Sequence, residues 1–571
     1  MKRQILLLLF TVCHIVTAVA QKNDNPKWLP KANQAMITVE TTTKEGMTKT
    51  GPGFFVQENG EAIAQYELFR NAEKAVAITS NGDRMPVLHI LGADDMYNVI
   101  RFKVSVPKKL VFLPVANISP ALNTTVYLLP SKEETNLAQG NISEISKVNS
   151  VYDYYQVDMP LPHSQIGYPI VTADGEVFAM TQVDASGKGK TYGIPVAYIQ
   201  SLQVATTDMF NRTYTEIGIR KAWVPSFDDA QLSLLLYAAQ QDATTYLETL
   251  TDFIATFPNH AEGYKRRASH YAFLRKELAS NENEQLQMLD LAWSDLESAG
   301  KHIKTKGETN FNKAQLILGV VADDSTLSNK IWNIKNADDH IRKAISEADL
   351  PLYRQAEGDI AFFQQDYNKA YQSYSIVNKS PESNGASFYF AAKCRQQLPD
   401  ADDMEIMTLL DSAAAKAPPA EAAAYLLENI ELKMQHNLFD LVIKDYDKYL
   451  VAMDGNVSDV FYYYREQAKF RTGDLAGALR DIDMAILKDK ENALYFAEKA
   501  SVYLRLNEFA KAQENVEKAI LMEPEFASAY RILGVCLVRQ EKKQEACTHF
   551  EKAKELGDPV AERLINDNCG E

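Results

Sequence analysis

Residues 475-LAGALRDIDMAILK-488, 509-FAKAQENVEKAILM-522 and 543-KQEACTHFEKAKEL-556 align without a gap. The step between them is 34 residues, and specific side chains keep it. Ala478, Ala512 and Ala546 recur, as do Ala485, Ala519 and Ala553. Ile482, Val516 and Phe550 hold a third position, and Tyr462, Phe496 and Tyr530 a fourth upstream of it. Leu533-Gly534 and Pro524 fall at matching offsets. Small residues recurring beside an aromatic at this period describe a helix-turn-helix unit. The alanines mark where two helices cross closely, and the aromatic wedges between them.

Weaker copies lie upstream. Gly358, Ala370, Tyr374 and Val377 keep the internal spacing of one unit, and Val442, Tyr446 and Tyr449 that of another without the alanines. Ala337, Ile341 and Ala344 suggest a further second helix. Residues 270–290 and 307–330 read as insertions or irregular helices, and 559–571 as a closing helix, since the end of a repeat stack must be covered. The pattern resembles the tetratricopeptide repeat. The expected solenoid runs over 231–558, with its number of units between 231 and 457 open.

Before residue 210 the character differs. Met36-Ile-Thr-Val-Glu40, Gly53-Phe-Phe-Val56, Ala75-Val-Ala-Ile78, Val99-Ile-Arg-Phe102 and Thr125-Val-Tyr-Leu-Leu129 are short, β-branched or aromatic, and broken by turn residues. They read as strands. Asp174-Gly175 sits between Pro169-Ile-Val171 and Glu176-Val-Phe178, a hairpin signal because that dipeptide accepts the positive φ of a tight turn. Many short strands separated by turns predict an all-β barrel or sandwich.

The chain has 571 residues, too many for one core, and its 46% hydrophobic and 10% aromatic content is that of a globular protein. A formal net charge of −16 argues against nucleic-acid binding, which needs clustered Lys and Arg. Lys2 and Arg3, the apolar run from Ile5 to Ala20 and the small-x-small Ala18-Val19-Ala20 read as an export signal over 1–20. No later segment is long and apolar enough for a stable membrane span. Four cysteines remain after the signal, none in a CxxC pair, so no metal and no cofactor is expected. Whether Cys547 and Cys569 pair is left open by the spacing.

Five blocks in order resemble the trypsin-like serine proteases, most closely the bacterial secreted HtrA/Deg group. Gly51-Pro-Gly-Phe-Phe-Val56 is similar to the family's Gly-x-Gly-Phe strand. In Gly60-Glu-Ala-Ile-Ala-Gln-Tyr-Glu-Leu-Phe-Arg-Asn-Ala72, Glu67 falls at the position of the family's His. In Ala93-Asp-Asp-Met-Tyr-Asn-Val-Ile-Arg-Phe-Lys-Val104, Asn98 stands for its Asp. Ser164-Gln-Ile-Gly-Tyr-Pro169 is similar to Gly-Asn-Ser-Gly-Gly-Pro, with Ile166 at the nucleophile and Ser164 at the first Gly. Tyr192-Gly-Ile-Pro-Val196 and Tyr198-Ile-Gln-Ser-Leu202 close the domain. The resemblance implies a trypsin-like double β-barrel over 31–207, after an N-terminal linker at 21–30 and before a second linker at 208–230. The solenoid and a capping helix at 559–571 follow.

Acyl transfer needs a hydroxyl whose proton passes to an imidazole oriented by a carboxylate. Glu67 stands where the imidazole is needed, Asn98 where the carboxylate is and Ile166 where the hydroxyl is, so the expected catalytic set is empty. Ser164 is the fallback nucleophile, but His163 beside it points to the opposite side of an extended strand, and His89 lies some twenty residues late to act as its base. The expectation is an exported, periplasmic or extracellular interaction scaffold, taking a protein or peptide in the repeat groove or by strand addition in the old substrate cleft. In the HtrA/Deg group peptide-binding PDZ modules usually follow the protease domain; here the helical repeats take that place. The competing reading is a divergent active peptidase whose repeats recruit substrate.

Overall fold

The computed structural model describes residues 26–129, 137–160, 165–182, 190–324, 326–327 and 329–570. The expected export signal and the His163-Ser164 pair lie outside them. The chain divides into two compact units, Met1–Pro258 and Asn259–Glu571.

The first unit holds twelve strands: β1 (Met36–Thr43), β2 (Thr48–Phe55), β3 (Glu61–Ala64), β4 (Ala72–Thr79), β5 (Arg84–Asp94), β6 (Val99–Val104), β7 (Thr125–Leu128), β8 (Ala138–Val148), β9 (Tyr152–Val157), β10 (Pro169–Val171), β11 (Val177–Gln182) and β12 (Thr191–Pro195). They close into two antiparallel barrels, in the orders β1-β2-β3-β6-β5-β4 and β10-β11-β12-β9-β8-β7. Alternation sets the faces. Along β1, Ile37 and Val39 turn into the first barrel with Phe55, Ile100 and Phe102. In β2, Gly53 pairs with Ile37 and Ala64, and a Cβ there would stand 2.9 Å from the Ile63 carbonyl. The close strand approach demands a residue without one. Closure leaves neither barrel an unpaired edge.

The Asp174-Gly175 turn forms as read. Gly175 has φ +82°, its N–H donates to the Thr172 carbonyl at 3.0 Å, and the Trp28 ring covers it. The Trp28 Nε1–H donates to the Ala173 carbonyl at 2.8 Å, tying the entering chain to the second barrel.

The segment expected as a linker over 208–230 runs along the first barrel. The Asn71 N–H donates to the Glu216 carbonyl at 2.7 Å, and the Ile90 N–H to the Arg220 carbonyl at 2.8 Å. The helices Phe227–Ala238 and Ala243–Thr256 complete the same unit around Trp223, Phe253 and Leu250.

The second unit is all helical among its described residues. Residues 307–330 contain a regular helix, Glu308–Asp323, beginning after Gly307 at φ +81°. Its buried face of Phe311, Ala314, Ile317, Val320 and Val321 has helical spacing. The three aligned units form the pairs Asp459–Thr472 with Leu475–Lys488, Ala493–Arg505 with Phe509–Met522, and Ala527–Arg539 with Lys543–Glu555. Ala478, Ala485, Ala512, Ala519, Ala546 and Ala553 are all fully buried, as are Ile482, Val516 and Phe550. A Cβ on Gly534 would stand 2.4 Å from the Phe550 ring, which is why the crossing wants a small residue. The helix Ala561–Asn568 ends the stack, and a disulfide from Cys547 to Cys569 clamps it.

Candidate functional site

Three turns of the first unit carry the positions singled out in the sequence. The one-turn helix Tyr66–Phe69 follows β3 and carries Glu67. The β5–β6 loop carries Asn98, held at φ +51°, a conformation Asn tolerates better than most residues. The loop entering β10 carries Ile166 and Gly167, the latter at φ +86°.

Hydrogen bonds join these turns. The Glu67 N–H donates to Asn98 Oδ1 at 2.8 Å, and the Tyr66 N–H to the Asn98 carbonyl at 3.3 Å. Gln65 Nε2 donates to the Ile166 carbonyl at 2.7 Å, crossing from the first barrel to the second. A Cβ on Gly167 would meet that same amide nitrogen at 2.4 Å, so the bridge requires glycine there. The Glu67 and Asn98 turns are thus linked directly, and the Ile166 turn is joined to them through Gln65, two residues before Glu67.

The side chains face different tasks. Glu67 is about half exposed (54%) and its carboxylate pairs with Arg70 at 3.0 Å and Lys49 at 3.6 Å. The Asn98 amide oxygen is taken by a backbone N–H. Ile166 presents a hydrocarbon. None of the three supplies a hydroxyl or an imidazole. The neighbouring acids are also engaged: Asp94 accepts from the Tyr198 hydroxyl and from the Tyr97 N–H at 3.0 Å, and Asp95 accepts from Thr213 Oγ1 at 3.0 Å. Burial, followed by the Asp94 hydrogen bond, pushes the Tyr198 hydroxyl far above its ordinary range. No group of three or more metal-ligating side chains occurs among the described residues.

His89 has a different partner. Its ring Nε2 lies 3.0 Å from Asp252 Oδ1, and Trp223 Nε1 donates to Asp252 Oδ2 at 2.9 Å. Burial works to raise the Asp252 carboxyl, but the hydrogen bonds from His89 and Trp223 hold it below its ordinary value. His89 lies five residues before the end of β5, about 16 Å along the strand. Sequence reasoning missed Gln65 altogether. At that point the sequence holds only a polar amide two residues before Glu67, with nothing to name its partner.

No protein-family model matches the chain. It is similar to Serine protease HTRA1A of Danio rerio, 23% identical over 179 residues, 30% of this chain and 37% of that protein. It is also similar to Small glutamine-rich tetratricopeptide repeat-containing protein 2 of Saccharomyces cerevisiae, 31% identical over 103 residues, 17% of this chain and 30% of that one. Stress-induced-phosphoprotein 1 of Caenorhabditis elegans matches at 27% identity over 218 residues, 33% of this chain and 65% of that protein. The chain thus spans less than two thirds of each of these relatives. Among the described residues no helix is long and apolar enough to cross a membrane. Two six-stranded barrels with the ordered blocks of an HtrA-like protease, and a stack of helix pairs at a 34-residue period, make the chain a trypsin-like domain joined to a tetratricopeptide-repeat array.

Proposed function

We propose that the protein is an exported interaction scaffold in which the trypsin-like domain has lost catalysis and the repeat array receives a protein or peptide partner. One observation carries the reading. Backbone and amide hydrogen bonds join the turns that carry Glu67, Asn98 and Ile166, while the side chains at those positions lack the groups acyl transfer requires. Loss of the key residues of such a triad lowers the rate by on the order of 10⁶. The relatives named for tetratricopeptide repeats support a partner-binding role for the array. The apolar run before Ala20 supports export, to a periplasm or the exterior. The acidic charge supports a protein partner over a nucleic acid.

Affinity capture with residues 21–571 as bait tests the proposal. The partner is expected to be recovered intact, and capture is expected to fall when the groove-forming helices of 458–558 are substituted. New N-termini in the captured protein would favour the divergent peptidase instead.

A further inference from the structure

Between the segment 204–224, which carries the short helices Thr206–Phe210 and Arg212–Thr215, and the helix pair 227–256, the first unit leaves a partly open cavity of about 450 Å³. That volume lies within the range of small-ligand pockets. Trp223 and Tyr237 form an aromatic corner in its wall, ring centroids 5.7 Å apart and edge-on. The Trp223 ring is itself fixed through Asp252. Lys221 also lines this cavity. Its backbone is pinned beside β5, since the flanking Arg220 carbonyl accepts from the Ile90 N–H and the Ala222 N–H donates to the Ile90 carbonyl, both at 2.8 Å. The Lys221 amine donates to the Ile217 carbonyl. Among the described residues, no carboxylate lies within ion-pairing distance of it.

We propose that this cavity is a small-molecule site in which the Lys221 amine condenses with the carbonyl group of an aldehyde or ketone ligand. The Nζ lone pair attacks the carbonyl carbon, forming a C–N bond. As the C=O π bond opens, one N–H proton moves to its oxygen to give the carbinolamine, whose hydroxyl then leaves with the second N–H proton as water, and a C=N bond remains. Nothing is oxidised or reduced. The aromatic corner suits a flat, neutral ligand, because Asp208, Glu248 and Asp252 are in the lining and disfavour an anion, while the Arg220 guanidinium there is already paired with Glu248.

The amine is suited to the step. Burial pushes Lys221 down to about 8, against a weaker opposing effect of Glu73. The neutral, nucleophilic fraction at pH 7 is then about 300-fold that of an ordinary lysine, each pKa unit being worth tenfold. Tyr237 is held protonated by burial, leaving a hydroxyl donor in the same wall.

The test uses the full chain without substitution. The protein is incubated at pH 7 with 4-hydroxybenzaldehyde and sodium cyanoborohydride, with and without 4-methylphenol as a competitor lacking the carbonyl, and the reduced adducts are mapped by peptide mass spectrometry. Lys221 is expected to take the label at least about tenfold faster than exposed lysines, and 4-methylphenol is expected to slow it. Adducts spread over exposed lysines with Lys221 unmodified would overturn the proposal. Labelling of Lys221 that 4-methylphenol leaves unchanged would overturn it too, since the cavity would then not be the binding site.

Discussion

Glu466 stands where the 34-residue period places Ala500 and Gly534, the small positions of the next two units. It is fully buried, and its Oε1 has no hydrogen-bond partner, while Oε2 accepts from Gln467 Nε2 at 2.7 Å. Burial, then the charge of Glu498, pushes its carboxyl up to about 8, with Asp481 adding to the effect. Burial raises Glu498 as well, against hydrogen bonding from Gln467 and the charges of Arg531 and Arg471. Between pH 4.5 and 8 the folded chain therefore holds a proton at Glu466 that the unfolded chain has lost. Stability is full below 4.5 and falls as pH rises towards 8. At about 1.4 kcal/mol for each tenfold change in proton affinity, the wild-type unit is about 3 kcal/mol less stable at pH 7 than at pH 4.5 on this account. Glu466→Gln keeps the shape and does not titrate. Hydrogen exchange of the amides in Asp459–Thr472 and Leu475–Lys488, corrected for intrinsic rates, reads local opening in a stack whose units depend mainly on their neighbours. The two proteins should have nearly equal protection at pH 4.5. By pH 7 the variant should be the more stable by about 3 kcal/mol. A difference that does not change with pH would refute the reasoning.

The disulfide closes a loop with a sequence separation of 22 residues, so Cys569→Ser should lower the stability of the last helix pair by about 3 kcal/mol, read as faster exchange over 543–568. Asn98→Ala removes the acceptor for the Glu67 N–H and places alanine at positive φ, so urea unfolding of the first unit should show a loss of about 2 kcal/mol. Asn98→Asp keeps both the oxygen and the tolerance of that backbone, and should cost less than about 0.5 kcal/mol in the same measurement.

The repeat was legible because packing constrains it repeatedly: Ala478, Ala512 and Ala546 each meet the same close crossing, so one physical demand is written three times. The barrel strands around Val39, Phe55 and Phe102 were legible for a related reason, their inward faces being apolar. β8 was not. Only Ile142 and Val148 of its eleven residues are buried, so its sequence Ala138-Gln-Gly-Asn-Ile-Ser-Glu-Ile-Ser-Lys-Val148 has little of the alternation that marks a strand. The helix Glu308–Asp323 was obscured because it lacks the alanine-and-aromatic signature and shows only a plain apolar face. At the candidate site, ordered motifs singled out Glu67, Asn98 and Ile166, and hydrogen bonds join the turns that carry them. The Gln65 bridge to Ile166 spans 101 residues and the His89 contact with Asp252 spans 163, separations that no local pattern encodes.

The most direct test of the central claim is to treat the full chain with a serine-directed fluorophosphonate and, in parallel, with unfolded casein. The account predicts no labelled serine and intact casein. Label at Ser164, with casein cleaved, would contradict it.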